Sequence, residues 1–286
     1  MNAKAFCPGH VTGFFQICEG ADPLSTGSRG AGLCLTRGAI SEVKVEAAER
    51  QGIVIYVDRR KAGADTTRVA IMQLIGNEKL RVTVDTILDL PQSQGFGMSA
   101  AGALSASIAL ADMLGRTRQR AFEAAHIAEI QCSTGLGDVS AVWKGGITIR
   151  KRAGLPPAGE VIRIDGTPEV VLAVVGPKLF TKDVLTDPVK QSAINRSGAR
   201  RVNELLEDAT LDRLMDLSSS FAVESGLASD TIMQAMIAAG KRGLASMAML
   251  GNSVFAIGDA RGQSEALKEF GDVWRCGVSA EGPRVL

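Results

Sequence analysis

Alternating hydrophobic and polar residues mark the first third of the chain. In SEVKVEA (41–47) and LRVTVDTIL (80–88), apolar side chains occupy nearly every second position. The runs GLCLTR (32–37) and GIVIYVD (52–58) have a similar strand-like composition. A period of two is typical of strands with one buried face, so we expect four strands here.

The pattern then changes to a helical one. Two helical segments are predicted at about 98–114 and 118–131, and GGITIRKR (145–152) indicates another strand. AGLPPAGE (153–160) follows, with two prolines and two glycines, and is the strongest linker candidate in the chain. We therefore expect two domains, covering residues 1–156 and 157–286.

The second half repeats the mixture of helices and strands. Its predicted elements are an apolar strand at 169–176, helices at about 187–207, 210–225 and 229–241, two strands within 244–258 joined at Gly251–Asn252, a short helix near 262–270 and a strand at 272–279. Hairpins are more frequent than strand–helix–strand units in this order. The fold class expected is therefore α+β rather than a doubly wound parallel sheet.

Charge and composition narrow the possible partners. The 286 residues include 32 Lys and Arg against 31 Asp and Glu, a formal net charge of +1. This balance gives no general attraction to nucleic acid or to an anionic membrane, and no run reaches the ~18 apolar residues of a membrane span. The five scattered cysteines lack C-x-x-C spacing and predict reduced thiols in a cytoplasmic protein.

The stretch PQSQGFGMSAAG (91–102) contains the first candidate chemistry. Gly95 and Gly97 leave the amides at the start of a helix uncovered, which suits an anion such as a phosphate. Ser99 then offers a hydroxyl to a magnesium ion that bridges phosphates. The alternatives are a plain turn into an alanine-rich core helix, or a dinucleotide fingerprint whose third glycine is out of register. A Walker loop is excluded because no lysine follows the glycines.

A second group of polar residues lies within 121–146. His126 and Glu129 are three positions apart and so share one helix face, and the loop STGLG then leads to Asp138. Each acid also has an ordinary structural interpretation. Glu129 can be a solvated helix charge, and Asp138 can be the N-cap of the next short helix.

Together these stretches resemble the motifs of the GHMP kinases, the family of galactokinase, homoserine kinase and mevalonate kinase. Their second motif, P-x-x-x-G-L-G-S-S-A-A, is matched here by Pro91, Gly95, Phe96, Gly97, Met98, Ser99, Ala100 and Ala101, with Met98 in place of the first serine. AFCPGHVTGFF is similar to the first motif, with His10 in place of a lysine. AMLGNSVFAIG (248–258) corresponds to the glycine-rich third motif and keeps only Gly251 in its loop.

The resemblance implies a fold and a set of roles. The expected fold is a ribosomal-protein-S5-like N-terminal domain followed by a ferredoxin-like C-terminal domain. The implied cofactors are ATP and Mg²⁺, with the metal held by Ser99 and Glu129, and Asp138 is the implied catalytic acid–base residue. The catalytic set is then Asp138, Ser99 and Glu129.

The longer strings PGHVTGFFQI, DPLSTGSRGAG, STGLGDV and KLFTKDVLTDP are most similar to an archaeal branch of this family. That branch phosphorylates the 4-hydroxyl of (R)-pantoate on the route to coenzyme A. The implied acceptor-binding residues are His10, Thr12, Ser28, Arg29, Asp138 and Lys182. Arg29 is the first candidate for the acceptor carboxylate, and either Phe14 or Phe15, which point to opposite faces of a strand, lines the apolar side.

Several alternatives stay open at this point. Arg29 and Lys182 can be surface charges, and His10 can be structural. The function can instead be a homoserine, shikimate or mevalonate type of kinase, a non-catalytic ATP-binding sensor of the same fold, or a nicotinamide-dependent dehydrogenase. Small molecules are the expected partners, with no nucleic acid or membrane, and the assembly is either a monomer or a homodimer.

Overall fold

Two β-sheets contain the strands of the computed structural model, which describes residues 2–179 and 181–286. The strands are β1 (Asn2–Cys18), β2 (Gly27–Ala47), β3 (Gly52–Val57), β4 (Arg60–Lys61), β5 (Leu80–Leu88), β6 (Ile147–Arg152), β7 (Glu160–Ile164), β8 (Glu169–Val174), β9 (Gly243–Ala248), β10 (Ser253–Gly258), β11 (Val273–Gly277) and β12 (Arg284–Val285). The first sheet has the order β12-β1-β2-β5-β3-β4, and β6 pairs with both β2 and β7. The second sheet has the order β11-β8-β10-β9. The pairing is antiparallel except between β3 and β5.

Helices pack against both sheets. They are α1 (Asp65–Ile75), α2 (Met98–Met113), α3 (Arg118–Gln131), α4 (Asp138–Ala141), α5 (Thr181–Leu185), α6 (Pro188–Glu207), α7 (Leu211–Glu224), α8 (Asp230–Gly240) and α9 (Ala260–Leu267). Mixed antiparallel sheets with helices give the α+β class that the sequence predicts. In the part of the chain that the structure describes, no helix is long and apolar enough to cross a bilayer.

Helix α2 is buried on nearly all sides. It packs against α1, α3, β1 and β2, and a helix without a polar face belongs in a core. Its alanines are small enough for these neighbours to approach closely. The buried Ser105 hydroxyl bonds with Ser41 at 2.7 Å, and Ser41 bonds with Thr86 at 2.8 Å. Small apolar residues with a few paired hydroxyls therefore allow this helix to pack closely between the first sheet and helices α1 and α3.

The two longest strands are irregular where they approach α2. The pairing between β1 and β2 shifts register between Pro8 and His10, and again between Thr12 and Phe14. Such bulges bend a strand and redirect its side chains. His10 and Thr12 lie between the two shifts, at the level of the α2 N-terminus.

The chain passes between the sheets later than the expected linker. The predicted domain boundary at 156/157 lies in the loop between β6 and β7, and β7 still pairs with β6 in the first sheet. The crossing to the second sheet occurs between Ile164 and Glu169. At the other end of the chain, β12 returns to the first sheet and pairs with β1.

A close backbone contact joins the two halves of the molecule. The turn between β9 and β10 packs on the loop before α2, so that a Cβ on Gly251 would lie 2.0 Å from the Gln94 carbonyl carbon. A Cβ on Gly95 would lie 2.8 Å from the carbonyl oxygens of Ala248 and Met249. Both glycines are therefore required by lack of space, and they fix where the second sheet sits against the loop.

This contact generates a stability prediction. Gly251→Ala forces a methyl group into backbone that cannot move aside, and overpacking of this kind costs about 1–3 kcal/mol. Gly240→Ala is the matched control, because a Cβ at Gly240 meets no atom within 4 Å. Denaturant unfolding should show a lower free energy of unfolding for the first variant and no loss for the second. Equal stability of the two variants would contradict the contact.

Candidate active site

A cavity opens where the loop before α2, the loop between α3 and α4, and the β9–β10 turn meet. The predicted site residues that line it are Thr12, Ser28, Gly95, Phe96, Gly97, Met98, Ser99, Asp138 and Lys182. The predicted residues that do not line it are Pro91, Ala100, Ala101, His10, Arg29 and Glu129. Pro91 begins the loop, and the two alanines are buried in the first turns of α2.

The loop before α2 has the geometry of an anion site. Gly97 is the N-cap of α2 with φ 67°, and Gly95 has φ 75°. A Cβ on Gly97 would also lie 3.1 Å from the backbone of His10. Glycine is thus favoured at position 97 both by the left-handed backbone and by the nearness of β1. The amides of the first helical turn have no partner within the helix and carry partial positive charge toward the cavity.

This loop is held from several directions. The His10 amide donates to the Phe96 carbonyl at 3.0 Å, and the Leu179 amide donates to the Ser93 carbonyl at 3.0 Å. The Phe96 ring packs edge-on against Trp274 with centroids 6.4 Å apart. The contacts come from both sheets and their connections, so the loop is preorganised for a ligand.

Three residues that line the cavity have a strained backbone. Ser93 (φ 62°), Ser133 (φ 53°) and Leu250 (φ 62°) are non-glycine residues in the left-handed region, and all three line the cavity. Such conformations cost about 1 kcal/mol or more each and persist where the surroundings fix them. They occur in the three loops that form the walls.

His10 holds the carboxylate of Asp138. Its Nδ1 lies 2.9 Å from Asp138 Oδ1, and Thr12 Oγ1 lies 3.3 Å from the same nitrogen. Burial lowers the pKa of His10 below 6.5 despite the opposing effect of Asp138, so the imidazole is neutral at pH 7. A carboxylate can only accept, which assigns the proton to Nδ1. The contact is therefore a hydrogen bond that orients Asp138 and leaves it as a base.

Glu129 lies beneath the loop that carries Asp138. Its Oε2 accepts from the Val139 amide at 3.5 Å, and its buried Oε1 has no hydrogen-bond partner among the described residues. A Cβ on Gly135 would lie 2.2 Å from Oε1, so only glycine lets the loop cover this carboxyl. Burial, followed by the charge of Asp138, raises the pKa of Glu129 well above its usual value.

The oxygen atoms here are compatible with a magnesium ion. Ser99 lines the cavity, Glu129 has an unclaimed carboxylate oxygen, and both are the oxygen donors that Mg²⁺ prefers. Within residues 2–179 and 181–286, no group of three or more His, Cys, Asp or Glu could hold a metal.

Arg150 is the functional candidate that sequence reasoning missed. It lies on β6, lines the cavity and is only 1% exposed, yet its Nε and Nη1 have no partner among the described residues. Burial lowers the pKa of Arg150, and Asp138 and Glu129 oppose the shift. A Cβ on Gly137 would lie 2.7 Å from Nε, so the glycine makes room for the guanidinium.

Arg29 lies outside the cavity, and each of its guanidinium nitrogens has a hydrogen-bond partner elsewhere. It donates to the Lys151 carbonyl at 2.9 Å, to Gln16 Oε1 at 3.1 Å and to Asn203 Oδ1 at 3.0 Å. Of these two arginines, Arg150 lines the cavity and Arg29 does not. The alternation in ITIR places Thr148 and Arg150 on the strand face opposite to Ile147 and Ile149.

The remaining residues complete the walls. Lys182, in the short helix α5, lines the cavity as expected, and Ser28 lies next to Gly137. Of the two phenylalanines, Phe15 lines the cavity, whereas Phe14 is fully buried against Phe221 at 6.3 Å between ring centroids.

Two buried groups with opposite pKa shifts lead to a pH prediction. Burial lowers the pKa of His126, whose Nε2 bonds the Thr26 carbonyl at 3.0 Å. The unfolded chain gains this proton below about pH 6.5 and the folded chain does not, so stability falls with acid by up to about 1.4 kcal/mol per pH unit. The raised pKa of Glu129 acts the other way, because the folded carboxyl keeps its proton above pH 4.5.

Unfolding free energies measured from pH 5 to pH 7 test both signs. His126→Gln should make stability rise less steeply with pH than in wild type, and Glu129→Gln should make it rise more steeply. Slopes that move in the same direction in both variants would contradict one of the two assignments.

Comparisons with known proteins identify the family of this chain. Residues 65–146 match the family described as GHMP kinases N terminal domain. The chain is 36% identical over 267 residues to the pantoate kinase of Methanocaldococcus jannaschii, covering 92% of this chain and 95% of that protein. It is 34% identical over 293 residues to the pantoate kinase of Methanospirillum hungatei, covering 99% and 96%.

A solved structure described as a phosphotransferase related to the CoA biosynthesis pathway gives the same picture for the fold. It superimposes with a TM-score of 0.90 at 28% identity and covers 100% of this chain and 99% of that chain. With relatives this similar along nearly their whole length, the chain belongs to the GHMP kinase family, in the branch of the pantoate kinases.

Proposed function

We propose that this chain transfers the γ-phosphoryl group of ATP to the 4-hydroxyl of (R)-pantoate, giving 4-phosphopantoate and ADP. The observation that supports the acceptor most directly is the buried guanidinium of Arg150 near Asp138, whose Nε and Nη1 have no partner among the described residues. The names of the curated relatives support the same substrate. The reaction belongs to coenzyme A synthesis.

The phosphate end of the nucleotide is assigned to the loop from Gly95 to Ser99. Phosphoryl transfer depends on positioning and on stabilising charge more than on covalent chemistry. The open amides at the start of α2 and the cation Lys182 supply positive charge on the cavity wall. Ser99 and Glu129 would hold a magnesium ion, which when bound would neutralise charge on the transferring group.

Asp138 is assigned to the acceptor hydroxyl. The bond between the 4-oxygen and phosphorus forms as the bond from phosphorus to the bridging oxygen of ADP breaks, and the hydroxyl proton passes to Asp138. His10 fixes the direction of this carboxylate through the 2.9 Å hydrogen bond. Because the imidazole is neutral, it orients the carboxylate through a hydrogen bond rather than through an ion pair.

The acceptor carboxylate is assigned to Arg150. A guanidinium presents two parallel donors to a carboxylate, and burial strengthens the interaction. Ser28 lies beside it, and Phe15 supplies an apolar wall for the two methyl groups of pantoate. Among the described lining residues, Asp138 is the single acidic side chain. Homoserine carries an ammonium group as well as a carboxylate, and the described lining offers no second acid to pair with that ammonium group. This favours pantoate as the acceptor.

A substrate panel tests the assignment. With ATP and Mg²⁺, ADP release should be fast with pantoate and slow with homoserine, mevalonate, shikimate and pantothenate. Preference for another acceptor would replace pantoate in the proposal, and nucleotide binding without any turnover would support the ATP-binding sensor.

We place the reaction in the cytoplasm, in keeping with five free cysteines. Light scattering during the same work decides between a monomer and a homodimer.

The role of Asp138 gives a kinetic prediction. Asp138→Asn keeps the shape of the side chain and removes the base, so kcat should fall by about 100-fold or more. The dissociation constant for ATP should change by less than about tenfold, because the phosphate loop is untouched. Unchanged turnover would remove Asp138 from the mechanism.

The role of Arg150 gives a second kinetic prediction, with Arg29 as the matched control. Charge-assisted hydrogen bonds contribute about 1.5–3 kcal/mol, so Arg150→Met should raise the KM for pantoate roughly 10- to 150-fold, with a smaller effect on the KM for ATP. Arg29→Met should leave both constants near wild type. A larger increase in the KM for pantoate in the Arg29 variant would instead assign the binding of the pantoate carboxylate to Arg29. Thermal unfolding of both variants checks that the fold is retained.

A further inference from the structure

A chain of three hydroxyl groups connects the phosphate loop to the catalytic loop, here defined as residues 132–137. Ser99 Oγ donates to Thr66 Oγ1 at 3.3 Å, and Thr66 Oγ1 lies 3.0 Å from Thr134 Oγ1. Thr66 is 4% exposed and lies in the first turn of α1. Thr66 therefore contacts Ser99, at the end of the phosphate loop, and Thr134, in the catalytic loop.

The direction of these hydrogen bonds determines what Ser99 can offer. A serine hydroxyl has one proton and two lone pairs. Because its proton points to Thr66, the lone pairs of Ser99 are left for the cavity, which the residue lines. A cation requires lone pairs and repels a proton. Thr66 therefore keeps Ser99 in the orientation that suits a metal ion and opposes the one that does not.

The same hydroxyl also restrains the catalytic loop. Thr66 accepts the Ser99 proton, so its own proton is available to its neighbours in the catalytic loop, Thr134 Oγ1 at 3.0 Å and the Cys132 side chain. The Thr134 amide in turn donates to the Glu129 carbonyl at 3.1 Å. Ser133, next to Thr134, has the left-handed φ of 53°. The bond from Thr66 thus holds a strained loop in place between Glu129 and Asp138.

We propose that Thr66 is a positioning residue for the metal–nucleotide complex, acting through the Ser99 and Thr134 hydroxyls. The inference rests on the proposed function, because it requires that nucleotide and Mg²⁺ bind at Ser99. Thr66 itself is buried behind Ser99 and does not line the cavity. Its effect is to align ligand-binding groups of two loops at once.

Three variants separate this role from ordinary core packing. Thr66→Val removes the hydroxyl and keeps the shape, and Thr66→Ser keeps the hydroxyl. Thr67→Val is the matched control, since Thr67 is 6% exposed on the same turn and lies outside the three-hydroxyl chain. Calorimetry measures the affinity for ADP in excess Mg²⁺ and again in EDTA. The ratio of the two affinities gives the share of binding that depends on the metal.

We expect Thr66→Val to lose about tenfold in ADP affinity with Mg²⁺, the value of one well-placed hydrogen bond, and little in EDTA. Thr66→Ser should bind like wild type, and so should Thr67→Val. Thermal unfolding should give similar midpoints for the two valine variants.

Two results would overturn the inference. One is a Thr66→Val variant with the wild-type ratio, whether its affinity is unchanged or falls equally in Mg²⁺ and in EDTA. The other is a wild-type protein whose ADP affinity does not depend on Mg²⁺. Failure of the proposed function looks different. In that case wild type binds Mg²⁺ and ADP at this site but releases no ADP from ATP when pantoate is added.

Discussion

The site depends on one close contact, in which the loop before α2 is wedged between β1 and the turn of the β9–β10 hairpin. On one side, a methyl group on Gly97 would lie only 3.1 Å from the backbone of His10. On the other side, Gly251 and Gly95 bring backbone from the two halves of the chain together. A loop held this tightly does not have to be ordered by its ligand, so little binding energy is lost to ordering. The contact also defines one wall of the acceptor cavity.

Electrostatics around the cavity follow from burial. Arg150, Glu129 and His10 are each about 1% exposed, and burial moves each pKa toward the neutral form. His10 is neutral at pH 7, Glu129 holds its proton more strongly than usual, and Arg150 keeps its charge because the pKa of a guanidinium is so high. The result is one unpaired cation beside one oriented carboxylate, which matches an anionic acceptor whose hydroxyl must lose a proton.

Much of the fold could be predicted from the sequence, because strands and helices were marked by periodicity. The hairpin around Gly251, the long helices of the second half and the phosphate loop lie where the patterns predict. Strand β1 was expected only around Phe14 and Phe15, since Pro8 and Gly9 interrupt its pattern, although they lie at a bulge that the sheet tolerates. Helix α1 has no clear periodic signal in DTTRVAIMQLI, and so Thr66 was not considered. Arg150 was hidden in the run of charges RKR, whose other two members are exposed. Which arginine faces the cavity depends on a register that only the tertiary structure defines.

The central claim is that a nucleotide's phosphates bind at the open amides of α2 while the acceptor carboxylate binds Arg150 on the opposite wall. A crystal structure with a non-hydrolysable ATP analogue, Mg²⁺ and pantoate tests this most directly. The account predicts phosphate oxygens within hydrogen-bond distance of the amides between Gly95 and Ser99, the metal in contact with Ser99, and the pantoate carboxylate paired with Arg150. Phosphates bound away from this loop, or a carboxylate bound far from Arg150, would contradict it.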